Sequence, residues 1–502
     1  MPVVTGTCAD TSNIVCARVN QSRPAALPSD MSISAQTVIA VNRFGLGARP
    51  GELAQVGSDG RDWLRAQIDH PGEVPPRIAA LMPSSEVLAK FQTMRQQIAQ
   101  NKTRDSEKST ADQPTADEPR PMRDLLGPAY REQVVARYSV AITTEQPFRE
   151  RLVHFWSNHF AVSADKPPVT GLVGGLENEA IRPNLNGHFA DLLLAVERHP
   201  AMLVYLDNQA SIGPDSPAAV RMKRFGRNHR KFDINENLGR EILELHTLGV
   251  DGGYDQQDVI GLSKILTGWS VGGGKGRRKA GTPGEFQFRA SIHQPGVQQV
   301  LGTRYAQDGV AQGQAVLRDL AVHPATARHV ATKLARHFIS DDPPANAVER
   351  ITSAYLESDG HLPTVHRALL DCPEAWVQPL MKYKTPHDYL ISGLRALDVS
   401  TFRDRELIGA LMLLGQPAYR PGSPAGWPDT QADWDGADGL MKRIEWAAAI
   451  GRRAGEQLDP EHLASNALGP VLDEHSATVI RRAESRAQAV ALVLASPEFQ
   501  RR

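Results

Sequence analysis

Apolar residues recur three and four positions apart over most of the chain, the spacing that gathers side chains on one face of a helix. The pattern predicts helices over 149–160, 189–206, 236–248 and 257–266. It predicts further helices over 315–338, 345–356, 363–370, 388–397, 406–414, 439–450 and 477–494. Few runs alternate at period two. Phe286-Gln-Phe-Arg289, followed by Val297 to Val300 and Tyr305, is the best case for a small β-hairpin. The expected fold is mainly α, with long irregular connections. No repeat of 30–45 residues is visible, so a solenoid is disfavoured.

Three stretches interrupt the helical pattern. Between Ala99 and Pro121 the only apolar residue type is Ala, and such a segment cannot bury enough surface to offset its ordering entropy. A disordered loop is expected over 99–121. Residues 221–231 gather Arg221, Lys223, Arg224, Arg227, Arg230 and Lys231, a basic loop that is either solvated or an anion contact. Residues 272–284 form a second basic, glycine-rich loop; Gly276 follows Lys275, so the order is wrong for a phosphate-binding P-loop.

Composition narrows the class. The chain has 502 residues, with 56 Lys and Arg against 57 Asp and Glu, and a formal charge of −1. That balance excludes a globally basic nucleic-acid binder. Three Cys exclude a disulfide scaffold and a four-Cys zinc site, and two of them, Cys8 and Cys16, fall in a polar leader. No run reaches the roughly 18–20 apolar residues of a membrane span. Residues 1–31 read as a disordered tail lying upstream of the true start, with Met31 opening a better segment. They lack the basic and apolar regions of an export signal, which points to the cytoplasm.

The richest window for chemistry is 233–249. Asp233 and Glu236 have the spacing of a helix-capping box, and Gly249 suits the left-handed residue that ends a helix. At about 100° per residue, Arg240, Glu244, Asn237 and Glu241 share one stripe, while His246 points elsewhere. This is either an acid/base or metal face or a salt-bridged structural face, with Arg240 neutralising Glu244 or Glu241. Partners are available on two other helical segments: His154, Asn158 and His159 on one, and His199, Asp207 and Asn208 on the next. His159, His199, Asp207, Glu241 and Glu244 would together make a mixed His/carboxylate site, for which a divalent metal is the expected cofactor. The HExxH pattern is absent, so a zinc-protease reading fails. The Pro- and Gly-rich stretch 415–429 carries Tyr419 and Trp427, with Trp434 and three Asp close by. It either plugs the core or lines a cleft where Trp427 and Trp269 stack on a sugar. No Gly-x-Ser-x-Gly elbow or dinucleotide fingerprint is present.

Several longer motifs point to a family. They are Phe155-Trp-Ser-Asn-His-Phe160, the His199-Pro-Ala to Asp207-Asn208 segment, and Asn235-Glu-Asn-Leu through Gly253-Tyr254. Leu266-Thr-Gly-Trp269, His323-Pro-Ala with Lys333-Leu334, Lys384-Thr-Pro386, Gly426-Trp-Pro428 and Ala495-Ser-Pro-Glu-Phe499 extend the match, as does Asn42-Arg-Phe-Gly-Leu-Gly47. The chain resembles the bacterial proteins catalogued as domain of unknown function 1800, over about Ser32 to Arg502. The resemblance implies one large multi-helix domain over 32–502 rather than three. It also implies relatives that are often exported and often encoded beside a sulfatase-like partner, with no established reaction. His293-Gln stands where relatives carry a His-Asp pair, and Gly422 where Pro is usual. Two functions are compatible with these residues. One is a hydrolase of a polymeric or glycan-like substrate, with Glu241, Glu244, Asp207 and Arg240 catalytic, Trp269, Trp427 and Asn237 on substrate, and His159 and His199 on metal. The other is a non-catalytic scaffold or maturation partner of a separately encoded enzyme.

Overall fold

Helix boundaries obey local chemistry. In the computed structural model, which describes residues 18–19, 33–107, 119–224, 234–273, 281–377, 379–454 and 457–502, most helices begin at a side-chain cap or a proline. His199 and His323 play the same part: each precedes Pro-Ala, and each imidazole Nδ1 accepts the N–H two residues on, at 3.2 Å. The Pro occupies the first helical turn, where its missing N–H costs nothing. These caps split two predicted helices, giving Phe189–Glu197 and Pro200–Tyr205 in one place and Val310–Ala321 and Pro324–Phe338 in the other.

The helices that position the site are α1 (Ser84–Glu107), α2 (Gly127–Thr143), α3 (Pro147–His159), α4 (Phe189–Glu197), α5 (Pro200–Tyr205) and α6 (Asn237–Glu241). They continue with α7 (Gln256–Leu266), α8 (Pro324–Phe338), α9 (Pro386–Ala396), α10 (Ala437–Ala454) and α11 (Arg486–Ala495). One contiguous apolar core runs through them from Ile39 to Phe499. The mainly α expectation is met, and among the described residues no helix is long and apolar enough to cross a membrane.

Three features differ from the sequence pattern. Helix α1 continues to Glu107, through the start of the segment expected to be disordered, and a π-helical turn begins at Met122. Likewise a helix over Pro217–Arg224 takes up the start of the first basic loop. Residues 108–118 and 225–231 of these segments, and 274–280 of the second basic loop, lie outside the described residues. Among the described residues the small β content is three two-stranded antiparallel sheets rather than one hairpin. Arg18–Val19 (β1) pairs with Val399–Thr401 (β6), Trp269–Val271 (β2) with Phe286–Phe288 (β3), and Gln298–Val300 (β4) with Thr303–Tyr305 (β5).

Buried charge ties the elements together. The Arg395 guanidinium is fully buried on α9 and donates to the Gly47, Ala141, Ile142 and Thr144 carbonyls at 2.7–3.2 Å. It also meets both oxygens of Glu52 at 2.9 Å. Arg395→Met would leave Glu52 and four carbonyls without their donor, and we expect it to cost about 3–5 kcal/mol in urea unfolding. Arg240→Met, at a partly exposed pair with Glu236, should cost under about 1 kcal/mol. Equal losses from the two variants would contradict this reading.

Candidate functional site

Helix α3 carries the wall of the site. Arg151, His154 and Asn158 fall on one face, at the three- and four-residue spacing of neighbouring turns. That face borders a cavity of about 80 Å³, also lined by Arg137 of α2, His337 of α8, Thr385, His387 and Asp388 at the start of α9, and Tyr419, Trp427 and Asp429 of the Pro- and Gly-rich loop. Thr385 caps α9, accepting the Asp388 N–H at 3.2 Å, and Pro386 opens its first turn. The Lys384-Thr-Pro motif therefore aims Asp388 inward.

The loop is clamped onto α3. Asn158 donates to the Trp427 carbonyl at 2.9 Å and accepts the Trp427 N–H at 2.8 Å. Gly426 sits at φ +85, and a Cβ there would fall 2.4 Å from the Asn158 carbonyl oxygen. Both the left-handed backbone and the close approach require glycine. Trp427 and Trp434 stand with ring centroids 6.0 Å apart, and the Trp434 indole N–H donates to the Pro428 carbonyl at 3.0 Å. Trp427 is half-buried and lines the cavity.

Around the cavity the charges are paired. Asp388 accepts from Arg151 at 3.0 Å and from Arg502 at 2.8 Å. Burial favours the neutral acid, yet Arg151 and Arg502 hold the Asp388 carboxyl well below the usual range. Glu177 meets Arg137 and accepts the Tyr419 hydroxyl at 3.1 Å. Arg182 grips Glu150 with both ends at 2.7 and 2.8 Å.

His337 differs. Its Nδ1 donates to Asp429 at 2.7 Å, while Nε2 is buried with no hydrogen-bond partner. The Asp429 carboxyl, which burial would raise, is held at about 2 by His337, Lys382 and Arg502. Burial lowers His337 to about 4, with Asp429 opposing and Arg502 reinforcing. The His154 Nε2 is also buried without a hydrogen-bond partner, with Glu150 Oε1 3.6 Å away, and burial with the neighbouring Arg137 disfavours its protonation.

Of the residues singled out from sequence, Trp427, His154, Asn158 and Tyr419 line this cavity, and the expected His/carboxylate set of His159, His199, Asp207, Glu241 and Glu244 does not. Helix α6 ends at Glu241 and passes into a π-helical turn, Ile242–His246, so the regular-helix stripe breaks there. Glu241 is half-buried, and burial raises its carboxyl, with His246 opposing and Glu244 adding. Arg240 takes Glu236 at 2.9 Å and Gln256 at 3.0 Å, rather than Glu241 or Glu244. Asn237 is exposed. Asp233 lies outside the described residues, and the capping box that is present belongs to Asp255 and Asp258. Gly249 does end the segment at φ +87, as expected. Asp207 pairs with Lys166 at 2.6 Å, half exposed at the end of α5.

His199 spends both nitrogens: Nδ1 caps α5 and Nε2 donates to Glu179 at 3.2 Å. No lone pair is left there for a metal. His159 donates Nε2 to the His246 carbonyl at 3.1 Å, beside a buried His246–Glu197 pair at 2.7 Å. Among the described residues no group of three or more His, Cys, Asp or Glu is placed to hold a metal ion. Trp269 is fully buried in β2 against Phe286, a core position and not a cleft wall. Arg137, Glu177 and Arg502 carry no local motif; the clearest overlooked signal is His329, Lys333 and His337 at four-residue intervals along an amphipathic helix.

Six imidazoles, two buried and four half-buried, make stability acid-sensitive. Burial lowers His329 and His337 to about 4 and His366 and His387 to about 3, and holds His154 and His159 well below their ordinary value. The unfolded chain takes up these protons near pH 6.5 and the folded one does not. The stabilisation is complete above pH 6.5 and is lost as pH falls through the folded values near 4. Each His contributes a slope of about 1.4 kcal/mol per pH unit in that window. Urea unfolding from pH 7 to 4.5 should show a steep decline, shallower in His366→Gln; a flat profile would contradict it.

No curated protein and no solved structure matches the chain. The family model of the proteins of unknown function DUF1800 matches residues 39–501, nearly the whole of it. As its motifs imply, the chain belongs to the DUF1800 family.

Proposed function

We infer that this DUF1800 protein is a hydrolase whose acid/base centre is His337 with Asp429. The observation that carries the reading is the unpartnered, buried His337 Nε2 in a cavity wall, with Nδ1 fixed by Asp429. A carboxylate that takes the Nδ1 proton sets the tautomer, leaving Nε2 as the lone pair that accepts a proton from water. A cavity of about 80 Å³ has room for several waters at about 10–15 Å³ each. Arg151 and Arg502 supply fixed positive charge nearby, suited to oxygen that becomes negative in the transition state.

The tilted Trp427–Trp434 pair beside the cavity supports a glycan-like substrate, since sugar rings stack on indole faces. A cavity this small takes one group of a polymer, with the rest of the chain lying over the Trp rings. In this reading Glu241 and Glu244 belong to a separate surface and not to the reacting centre.

A second reading is a non-catalytic scaffold or maturation partner of a separately encoded, sulfatase-like enzyme. It is favoured by Asp388, Glu177 and Glu150, whose buried carboxylates are all closed into ion pairs. The two readings separate in one experiment. A panel of chromogenic glycosides and polysaccharides, assayed for release of chromophore or reducing ends, should identify a substrate. His337→Gln and Asp429→Asn should then lower kcat about 10²–10⁴-fold while KM holds. A folded wild-type protein inactive on the whole panel, or a His337→Gln variant with undiminished kcat, overturns the hydrolase.

A further inference from the structure

The cavity beside His337 carries more open polar atoms than proton transfer from water uses. Among the described residues, Trp427 Nε1, Arg137 Nε and Asp429 Oδ1 are buried atoms of its lining side chains that make no hydrogen bond. Two of these are N–H donors without an acceptor, the Trp427 indole and the Arg137 Nε–H. Helix α3 holds both residues at adjacent positions. Arg137 also donates to the Ser157 hydroxyl at 3.4 Å, and Asn158, the next residue, clamps the Trp427 backbone at 2.8 and 2.9 Å. Asp429, two residues beyond Trp427, gives Oδ2 to His337 at 2.7 Å. Its Oδ1 stands 3.6 Å from both Lys382 Nζ and Arg502 Nη2, too far for a hydrogen bond. The rest of the lining includes an apolar wall of buried side chains: Phe160, Ala161 and Val162 after α3, with Val173 and Leu176.

A buried donor or acceptor without a partner is costly, so these atoms state what a ligand must bring. It must offer an acceptor to two N–H groups, a donor to a carboxylate oxygen and an apolar end to the aliphatic wall. A carboxylate brings no donor, an ammonium no acceptor, and a sugar hydroxyl no apolar end. A secondary acetamide brings all three: a carbonyl oxygen with two lone pairs, one N–H and a methyl group. Its size also suits a cavity of about 80 Å³, which takes a few heavy atoms and a water but not a sugar ring. We propose that this cavity is an acetamido subsite for the N-acetyl group of an amino sugar. The carbonyl oxygen sits on Trp427 Nε1–H and Arg137 Nε–H, the amide N–H on Asp429, and the methyl against Val162, Val173 and Leu176. This rests on the hydrolase reading and adds to it the substrate class, a glycan of N-acetylated amino sugars. Asp429 then holds the substrate through one oxygen and His337 through the other, which fixes the sugar relative to the base. His337 Nε2 stays open to water, so binding and proton transfer use different atoms.

The test uses the full-length protein and needs no turnover. The probe is chitotriose, with cellotriose, which lacks the acetamido group, and triglucosamine, which lacks only the acetyl, as controls. By titration calorimetry chitotriose should bind at least about tenfold more tightly than either control, the size of one well-made hydrogen bond. In saturation-transfer NMR its acetyl methyls should take the strongest saturation. Trp427→Phe keeps an aromatic ring and removes the N–H; Arg137 is left alone because it also closes the buried Glu177. The ratio of chitotriose to cellotriose affinity should fall about tenfold in Trp427→Phe. A Trp427 that only stacks on sugar rings would shift both affinities alike and leave the ratio. Equal affinities in the wild type, saturation strongest away from the acetyl group, or an unchanged ratio in the variant overturns the subsite. Should Trp427→Phe fail to fold, the wild-type comparison decides alone. Hydrolysis that depends on His337 without selectivity for chitotriose rejects the subsite and keeps the hydrolase; selective binding without hydrolysis of any glycan does the reverse.

Discussion

The structure depends most on one buried carboxylate shared by two guanidinium groups. Asp388 gives one oxygen to Arg151 and the other to Arg502, and all three side chains are at most 10 % exposed. Through Arg502 the network reaches the His337 carbonyl at 2.8 Å and the Asp429 carboxylate at 3.6 Å. Backbone bonds between Lys382 and Arg502, at 2.8 and 3.1 Å, hold that guanidinium in place, and Lys382 in turn pairs with Asp341 at 2.5 Å. Removing Asp388 leaves the buried Arg151 without its counter-charge, which costs several kcal/mol. Helices α3, α8 and α9 and the segment after α11 are thus held in one relative position, and that position defines the cavity.

Departures from regular helix serve the same end. The π-helical turn at Leu176–Ile181 carries Glu177 to Arg137 and Tyr419 and Glu179 to His199 and the Ser84 N–H. The turn at Ile242–His246 sets the buried His246 against Glu197. An i→i+5 turn adds a residue to the helical circuit and re-aims the side chains beyond it. Each of these two turns costs helical regularity, and the ion pairs it enables offset that cost.

Much of the fold is legible in the sequence because helical amphipathicity is a local property. The apolar spacing marks the helices, while two His-Pro-Ala starts divide stretches that this spacing alone joins into single helices. The site is less legible because it is assembled from Arg137, Arg151, His337, Asp388, Asp429 and Arg502, which are scattered over most of the chain. No spacing rule links Asp388 to Arg151. The stripe on residues 237–244 requires about 100° per residue, and the π turn after Glu241 removes that regularity. The loop around Trp427 stands out in the sequence because Gly and Pro beside an aromatic ring require a special backbone. Trp269 has a similar local cue, Thr-Gly before Trp, yet its burial is set by pairing with Phe288 across β2 and β3, which no local cue shows.

The electrostatics of the cavity explain why a neutral imidazole stands there. Arg151 and Arg502 are permanent cations, and one carboxylate, Asp388, is divided between them. A second carboxylate, Asp429, must serve Lys382, Arg502 and His337 together. With Asp341 on Lys382, three carboxylates balance these three cations, and a protonated His337 would tip the site to positive.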